Sequence, residues 1–401
     1  MKSGRLCAVL VCFVVLLAAG CAGNSNPPSP TPAKVQCTPS STPEFSYVLA
    51  GNAVSMFTVD SCTGQFTAST PASVSTGYSG VQDAEQMVVD PRGRFAYVAN
   101  LVSNASDLST ISMYTINPTT GVLAPTTPAT VSTGWFPQGI AIDPLGRFVY
   151  TANSDDATVS MFTINQTTGV LTPTTPASVS TMIPNSLYSS PGFLTVDPTG
   201  KFLYVPSGNT DDGTVLMFNI NQSTGVLTQT SPATVPTSGD PFQIVVTPND
   251  KFAYVVNNLS GGPYTDGVYQ YTVNSTTGVL TQNTPATVAA GNGPTAVAVD
   301  PTSRFAYVVN RMDNTVSMYT IDPNTGNLKL NATVTNLSGT IATGAMPFRI
   351  DFDPTGKFVY VTNEGSAASI YTVNSDGTLT NAGTTGVATG GLSTAMTTGN
   401  Q

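Results

Sequence analysis

One pattern recurs seven times along the chain: an aromatic residue, a small or apolar one, Tyr, two further apolar or small residues, then usually Asn. It reads Phe95-Ala96-Tyr97-Val98-Ala99-Asn100, Phe148-Val149-Tyr150-Thr151-Ala152-Asn153 and Phe252-Ala253-Tyr254-Val255-Val256-Asn257. It returns at Phe305 to Asn310 and Phe358 to Asn363, and in weaker form at Phe202 to Ser207 and Phe45 to Ala50. Successive phenylalanines at 45, 95, 148, 202, 252, 305 and 358 lie 50, 53, 54, 50, 53 and 53 residues apart. A period near 50 that carries several short strands is the signature of propeller blades.

Each unit parses into four strands. In the sixth, Thr295 to Val299 is the first strand, Asp300-Pro301-Thr302-Ser303 a type I turn, Arg304 to Asn310 the second strand and Thr315 to Ile321 the third. Asp322 to Gly326 then turns the chain into a short fourth strand at Asn327 to Leu330. Strands apolar on both faces must be covered on both sides, so a single blade cannot stand alone and the ring must close. The first unit starts at Phe45 with a second-type strand and lacks an inner one. The last unit runs past its fourth strand to Leu392–Thr398, which is expected to supply that inner strand and so remove the open edges. The expected fold is all-β: a seven-bladed β-propeller of four-stranded antiparallel blades over residues 45–401.

Residues 1–20 read as a signal peptide. Lys2 and Arg5 precede fourteen largely apolar residues from Leu6 to Ala19, too few to span a bilayer at ~20 residues. Leu17-Ala18-Ala19-Gly20-Cys21 resembles the bacterial lipobox, making Cys21 the lipidation site, and Ala22 after it favours the outer membrane of the cell envelope. Residues 21–44 hold the Pro-rich stretch Asn24 to Ala33, a semi-rigid polyproline tether of roughly 30 Å. Cys7 and Cys12 leave with the signal, so Cys37 and Cys62 remain as a candidate disulfide; its loop of about 25 residues would constrain the unfolded chain by roughly 3 kcal/mol.

Composition narrows the chemistry. Only 9% of residues are charged and the net charge is −9, or −11 once Lys2 and Arg5 are removed, which argues against nucleic acid as a partner. There is no histidine, so Ser-His-Asp and Cys-His nucleophile systems and imidazole zinc sites are excluded. No cofactor or metal is expected; the acid pairs Asp155-Asp156 and Asp211-Asp212 lack the ligand spacing of a calcium loop.

Tyr360-Val361-Thr362-Asn363 is literally a YVTN motif, and the chain from about Phe45 to Thr398 resembles the YVTN-repeat and lactonase-type seven-bladed propellers, which include 6-phosphogluconolactonase-like proteins. The resemblance implies an active site in which an Arg-His pair opens one inner strand and an Asn-Glu-Leu follows the second strand of that blade. The matching residues here are Phe242, Gln243 and Asn258: none is ionisable, and neutral groups cannot shuttle protons at pH 7.

Loops from fourth to next first strand, and from second to third, crowd one mouth of a propeller channel, where ligands usually bind. The charged residues expected there are Asp83, Glu85, Asp155, Asp156, Asp211, Asp212, Arg311, Asp313, Arg349 and Glu364. Glu364 and Arg349 share the last blade and form the best catalytic pair, a carboxylate base with Arg349 or Arg311 holding an oxyanion; the same charges also read as solvated loop groups and turn caps. The repeated Asn100, Asn153, Asn257, Asn310 and Asn363 read as architecture. Tyr78, Trp135, Phe136, Tyr188 and Tyr264, with the amides Gln138, Gln243 and Asn258, form the candidate ligand-binding set; the rings suit stacking on a sugar or a protein, or a folded-down plug. The first functional expectation is a monomeric, lipid-anchored, non-catalytic module binding a small molecule, carbohydrate or protein at the mouth. The alternatives are a lactone hydrolase and a structural envelope protein.

Overall fold

A computed structural model of the chain describes residues 37, 43–77, 84–101, 109–182, 189–208, 213–237, 239–257, 267–332, 338–364, 366–388 and 394–398. The strands form seven antiparallel sheets. Blade two is typical: inner strand Ala84–Val89, second strand Phe95–Asn100, third strand Thr110–Ile116 and outer strand Leu123–Ser132 pair in that order. In blade one Thr394–Thr398 pairs antiparallel with Glu44–Ala50, so the C-terminal strand occupies the inner position of the N-terminal sheet. The inner strands of all seven blades touch in cyclic order around a central axis.

The repeated motif is the fastener between blades. Its Tyr hydroxyl donates to a glycine carbonyl in the third-to-fourth-strand turn of the next blade: Tyr47 to Gly121 at 2.7 Å, Tyr97 to Gly169 at 2.8 Å, and so on around to Tyr360 and Gly64 at 3.1 Å, which joins blade seven back to blade one. The motif Phe lies flat on that same glycine. A Cβ on Gly326 would stand 2.2 Å from Phe252 Cδ1, and its φ of +71° is left-handed, so two constraints select glycine there. A hydrophobic cluster fills each of the seven seams between neighbouring blades. Every second strand of the strong motif type is buried from end to end because its two faces serve two different seams.

Two elements differ from expectation. The short outer strand expected in the sixth unit is peculiar to it: in the other six blades the outer strands run ten residues, such as Leu123–Ser132, and only blade six is brief, with Leu328–Leu330 and Thr340–Ala342 both pairing with Thr315–Ile321. The Thr-Pro segments therefore extend the outer strands across a bulge, as between Ser112 and Tyr114. In blade four the inner strand is broken into Ser190–Pro191 and Thr195–Val196, which frees Phe193 to bridge Gln243 of blade five.

Candidate functional site

The mouth is built from a loop clamp that repeats. The amide of the motif Asn donates across the hairpin that follows, from Asn153 to Ser160 Oγ at 2.9 Å and from Asn310 to Ser317 Oγ at 2.8 Å. A carboxylate three residues on then holds the incoming loop: Asp156 Oδ2 accepts from Trp135 N at 2.6 Å, and Asp313 Oδ2 from Asn292 N at 2.8 Å. The backbone closes the clamp, with Ser154 N donating to Phe136 O and Arg311 N to Gly293 O, each at 2.9 Å. Asp156 and Asp313 are thus turn caps that fix the mouth, and the repeated Asn is architecture.

The inner strands of blades two, three, five, six and seven enter the mouth through a bulge, because two residues there face one on the second strand. The bulged residues include Gln138, Phe242, Thr295 and Phe348. Phe242 meets Phe193 of blade four at 4.9 Å between centroids and Phe348 of blade seven at 6.0 Å, edge to face. Rings from blades five and seven can touch only by passing in front of blade six, so this cluster lies in the channel and plugs it. The plug comes from the inner strands, whereas Trp135 in the loop above stays 42% exposed.

Three charged side chains gather on the plug. Arg349, only 4% exposed, lays its guanidinium 3.4 Å from the Phe193 centroid and 5.1 Å from that of Phe348. Arg311 reaches the same Phe348 ring at 5.6 Å and forms a hydrogen-bonded ion pair with Glu364 across the seam between blades six and seven. Glu364 therefore takes Arg311 of the neighbouring blade as its partner, where the sequence had paired it with Arg349 of its own blade. The reason is geometric: Arg311 and Glu364 both follow a motif Asn, which sets them side by side around the ring, while Arg349 lies on the inner strand and points across the axis. On the same strand Asp351 remains partly exposed; burial pushes its carboxyl up to about 7, against the opposing pull of Arg349.

A family model described as lactonase, seven-bladed beta-propeller, matches residues 42–185, 177–262 and 243–391. The chain belongs to this family. Among its relatives, a 6-phosphogluconolactonase of Pectobacterium carotovorum is 34% identical over 92 residues, 23% of this chain and 28% of the relative; that of Bacillus subtilis is 26% identical over 193 residues, 46% and 53%. The chain spans about half or less of the length of these relatives. The periplasmic gluconolactonase of Pseudomonas aeruginosa superposes with a TM-score of 0.66 at 19% identity, covering 85% of this chain and 95% of that one. A protein from Lactobacillus plantarum gives 0.69 at 20%, covering 89% and 99%. At these identities the superpositions establish the shared fold.

Gln243, expected to bind ligand, also makes a structural contact. Its Oε1 accepts the Val297 amide of blade six at 2.9 Å, and Gln86 does the same for Ile140 of blade three, so both amides suture adjacent inner strands. Gln86 had been overlooked; the signal was its position fourteen residues before a motif Asn, shared by Gln243 and Arg349. Gln138 sits half-buried in its bulge, and Phe136, half-buried, adopts a left-handed φ of 54°. Tyr78, Tyr188, Asn258 and Tyr264 lie outside the described residues, as do Asp83, Asp211, Asp212 and Cys21; of Glu85 only the backbone is described. Cys37 and Cys62 are each disulfide-bonded. Among the described residues no group of three or more metal-ligating side chains is assembled. Phe193, Phe348 and Asp351 were also missed, because channel contacts between distant blades leave no local sequence signal.

Proposed function

We propose that the chain is a lactone hydrolase whose substrate carbonyl rests above Phe348, between Arg311 and Glu364. The observation that carries this reading is the ion pair bridging two blades on an aromatic floor, in a chain of the lactonase family. Water adds to the lactone carbonyl as the Glu364 carboxylate takes its proton. The Arg311 guanidinium holds the oxygen on which negative charge develops. The ring C–O bond then breaks, and Glu364 returns the proton to the departing alkoxide, giving a hydroxy acid. An uncharged sugar lactone suits this mouth better than a phosphorylated one, since the charge of Arg311 is already matched by Glu364. A lipid anchor at Cys21 would hold the enzyme outside the cytoplasm. The test is turnover of aldonolactones by the isolated protein, with Glu364→Gln expected to lower kcat by about 10² or more. Unchanged turnover in that variant would remove Glu364 from the reaction.

A second reading, binding without catalysis, is favoured by the Gln243–Val297 tie and by Phe242 in the channel plug, which leave the family's catalytic positions without proton-transfer groups. It predicts saturable lactone or sugar binding with no turnover on any lactone tried.

A further inference from the structure

We infer that the mouth carries a second, off-axis binding site, a groove between blades three and four that takes a neutral saccharide chain. The groove encloses about 540 Å³ and is lined by Trp135, Ser154, Asp155, Met182 and Ser190 among others. Blades three and four face blades six and seven across the ring, so this site is separate from the Arg311–Glu364 pair.

The internal repeat singles Trp135 out. In blade six the same clamp position holds Asn292, whose amide is consumed by Asp313 Oδ1 at 2.7 Å, and the residue after it is Gly293, at ease with a φ of +63°. Blade three keeps the clamp but places an indole on it, 42% exposed, and forces the next residue, Phe136, into a left-handed backbone that a bulky side chain disfavours. The indole's backbone is pinned on both sides, by Asp156 on Trp135 N and by Ser154 N and Oγ on Phe136 O. The left-handed turn belongs to the clamp itself, since Gly293 and Met346 adopt it at the same position with φ of 63° and 52°; what is particular to blade three is an indole held on that fixed backbone with much of its surface in water. Met182, 45% exposed, extends the apolar strip.

The lining selects the ligand class. An indole face stacks on the CH face of a pyranose, while the exposed Asp155 carboxylate and Ser190 hydroxyl supply hydrogen bonds for sugar hydroxyls. Among the described lining residues there is no Lys or Arg to reward an anion.

Trp135 is the single tryptophan of the protein, so its fluorescence reports this groove alone. The full chain is titrated with β-1,4-gluco-, α-1,4-gluco- and chito-oligosaccharides, with oligogalacturonate, and with a lysine-rich peptide. A saturable change with at least one neutral oligosaccharide and none with oligogalacturonate is expected. Calorimetry is expected to show binding lost in Trp135→Ala, retained more weakly in Trp135→Phe, and weakened roughly tenfold or more in Asp155→Asn, each variant melting as the parent does. No saturable response to any neutral oligomer, an equal response to the acidic one, preference for the basic peptide, or binding that survives Trp135→Ala would each overturn the inference. None of these outcomes depends on lactone turnover.

Discussion

At the scale of single residues, burial acts on two carboxyls, Glu44 in blade one and the half-buried Asp351 on the inner strand of blade seven. Asp351 titrates near 7 in the folded chain, against 3.8 as its ordinary value, and burial also raises Glu44, with Asp353 pushing the same way and Lys357 opposing. The folded state holds these protons more tightly than the unfolded one. The contribution of Asp351 to stability is therefore fully present below about pH 4 and is lost as pH climbs through about 7, and that of Glu44 is likewise lost as pH rises. Asp351→Asn is expected to flatten this slope and to raise the melting temperature at pH 8 while changing it little at pH 4. A parallel shift at both pH values would mean that the carboxyl does not titrate differently in the two states.

At the scale of elements, the turn glycine and the motif aromatic of the preceding blade form one fitted joint. Gly326→Ala puts a methyl group into the Phe252 ring and strains a left-handed turn, so a loss of about 2–4 kcal/mol is expected in urea unfolding. Gly77 is the matched control: its φ is +78° but nothing lies within 4 Å of a Cβ there, so Gly77→Ala should cost only the backbone term of about 1 kcal/mol. The difference between the two isolates the packing of the joint. Tyr254→Phe, which leaves the Gly326 carbonyl without the hydroxyl now donating at 2.8 Å, should cost about 1 kcal/mol.

At the scale of the whole molecule, stability comes from closing the ring. Each blade buries its two faces against different neighbours, so the seven seams are links of one cycle. Ending the chain at residue 391 removes the strand Thr394–Thr398 and bares the edge of Glu44–Ala50. The truncated protein is expected to melt at lower temperature and to self-associate, as measured by calorimetry and light scattering. If it stays monomeric with an unchanged transition, the terminal strand is not what holds blades seven and one together.

The sequence by itself determined the number of blades, their four-stranded antiparallel build and the residues that fasten them. Those properties repeat every fifty or so residues, and Phe, Tyr, Asn and turn Gly each do one local job in every copy. The architectural role of Asn153 and Asn310 was legible for that reason. What only the tertiary structure decided was which unlike residues meet at the axis: Phe193 with Phe242 and Phe348, Arg349 over Phe193, and Glu364 with Arg311 rather than Arg349. These contacts join chain segments 49 to 156 residues apart, where no periodicity or local propensity constrains the pairing. Gln243 shows the same limit from the other side, since an amide can recognise a ligand or suture a seam, and the approach of Val297 N to 2.9 Å, which reveals the second role, has no trace in the local sequence.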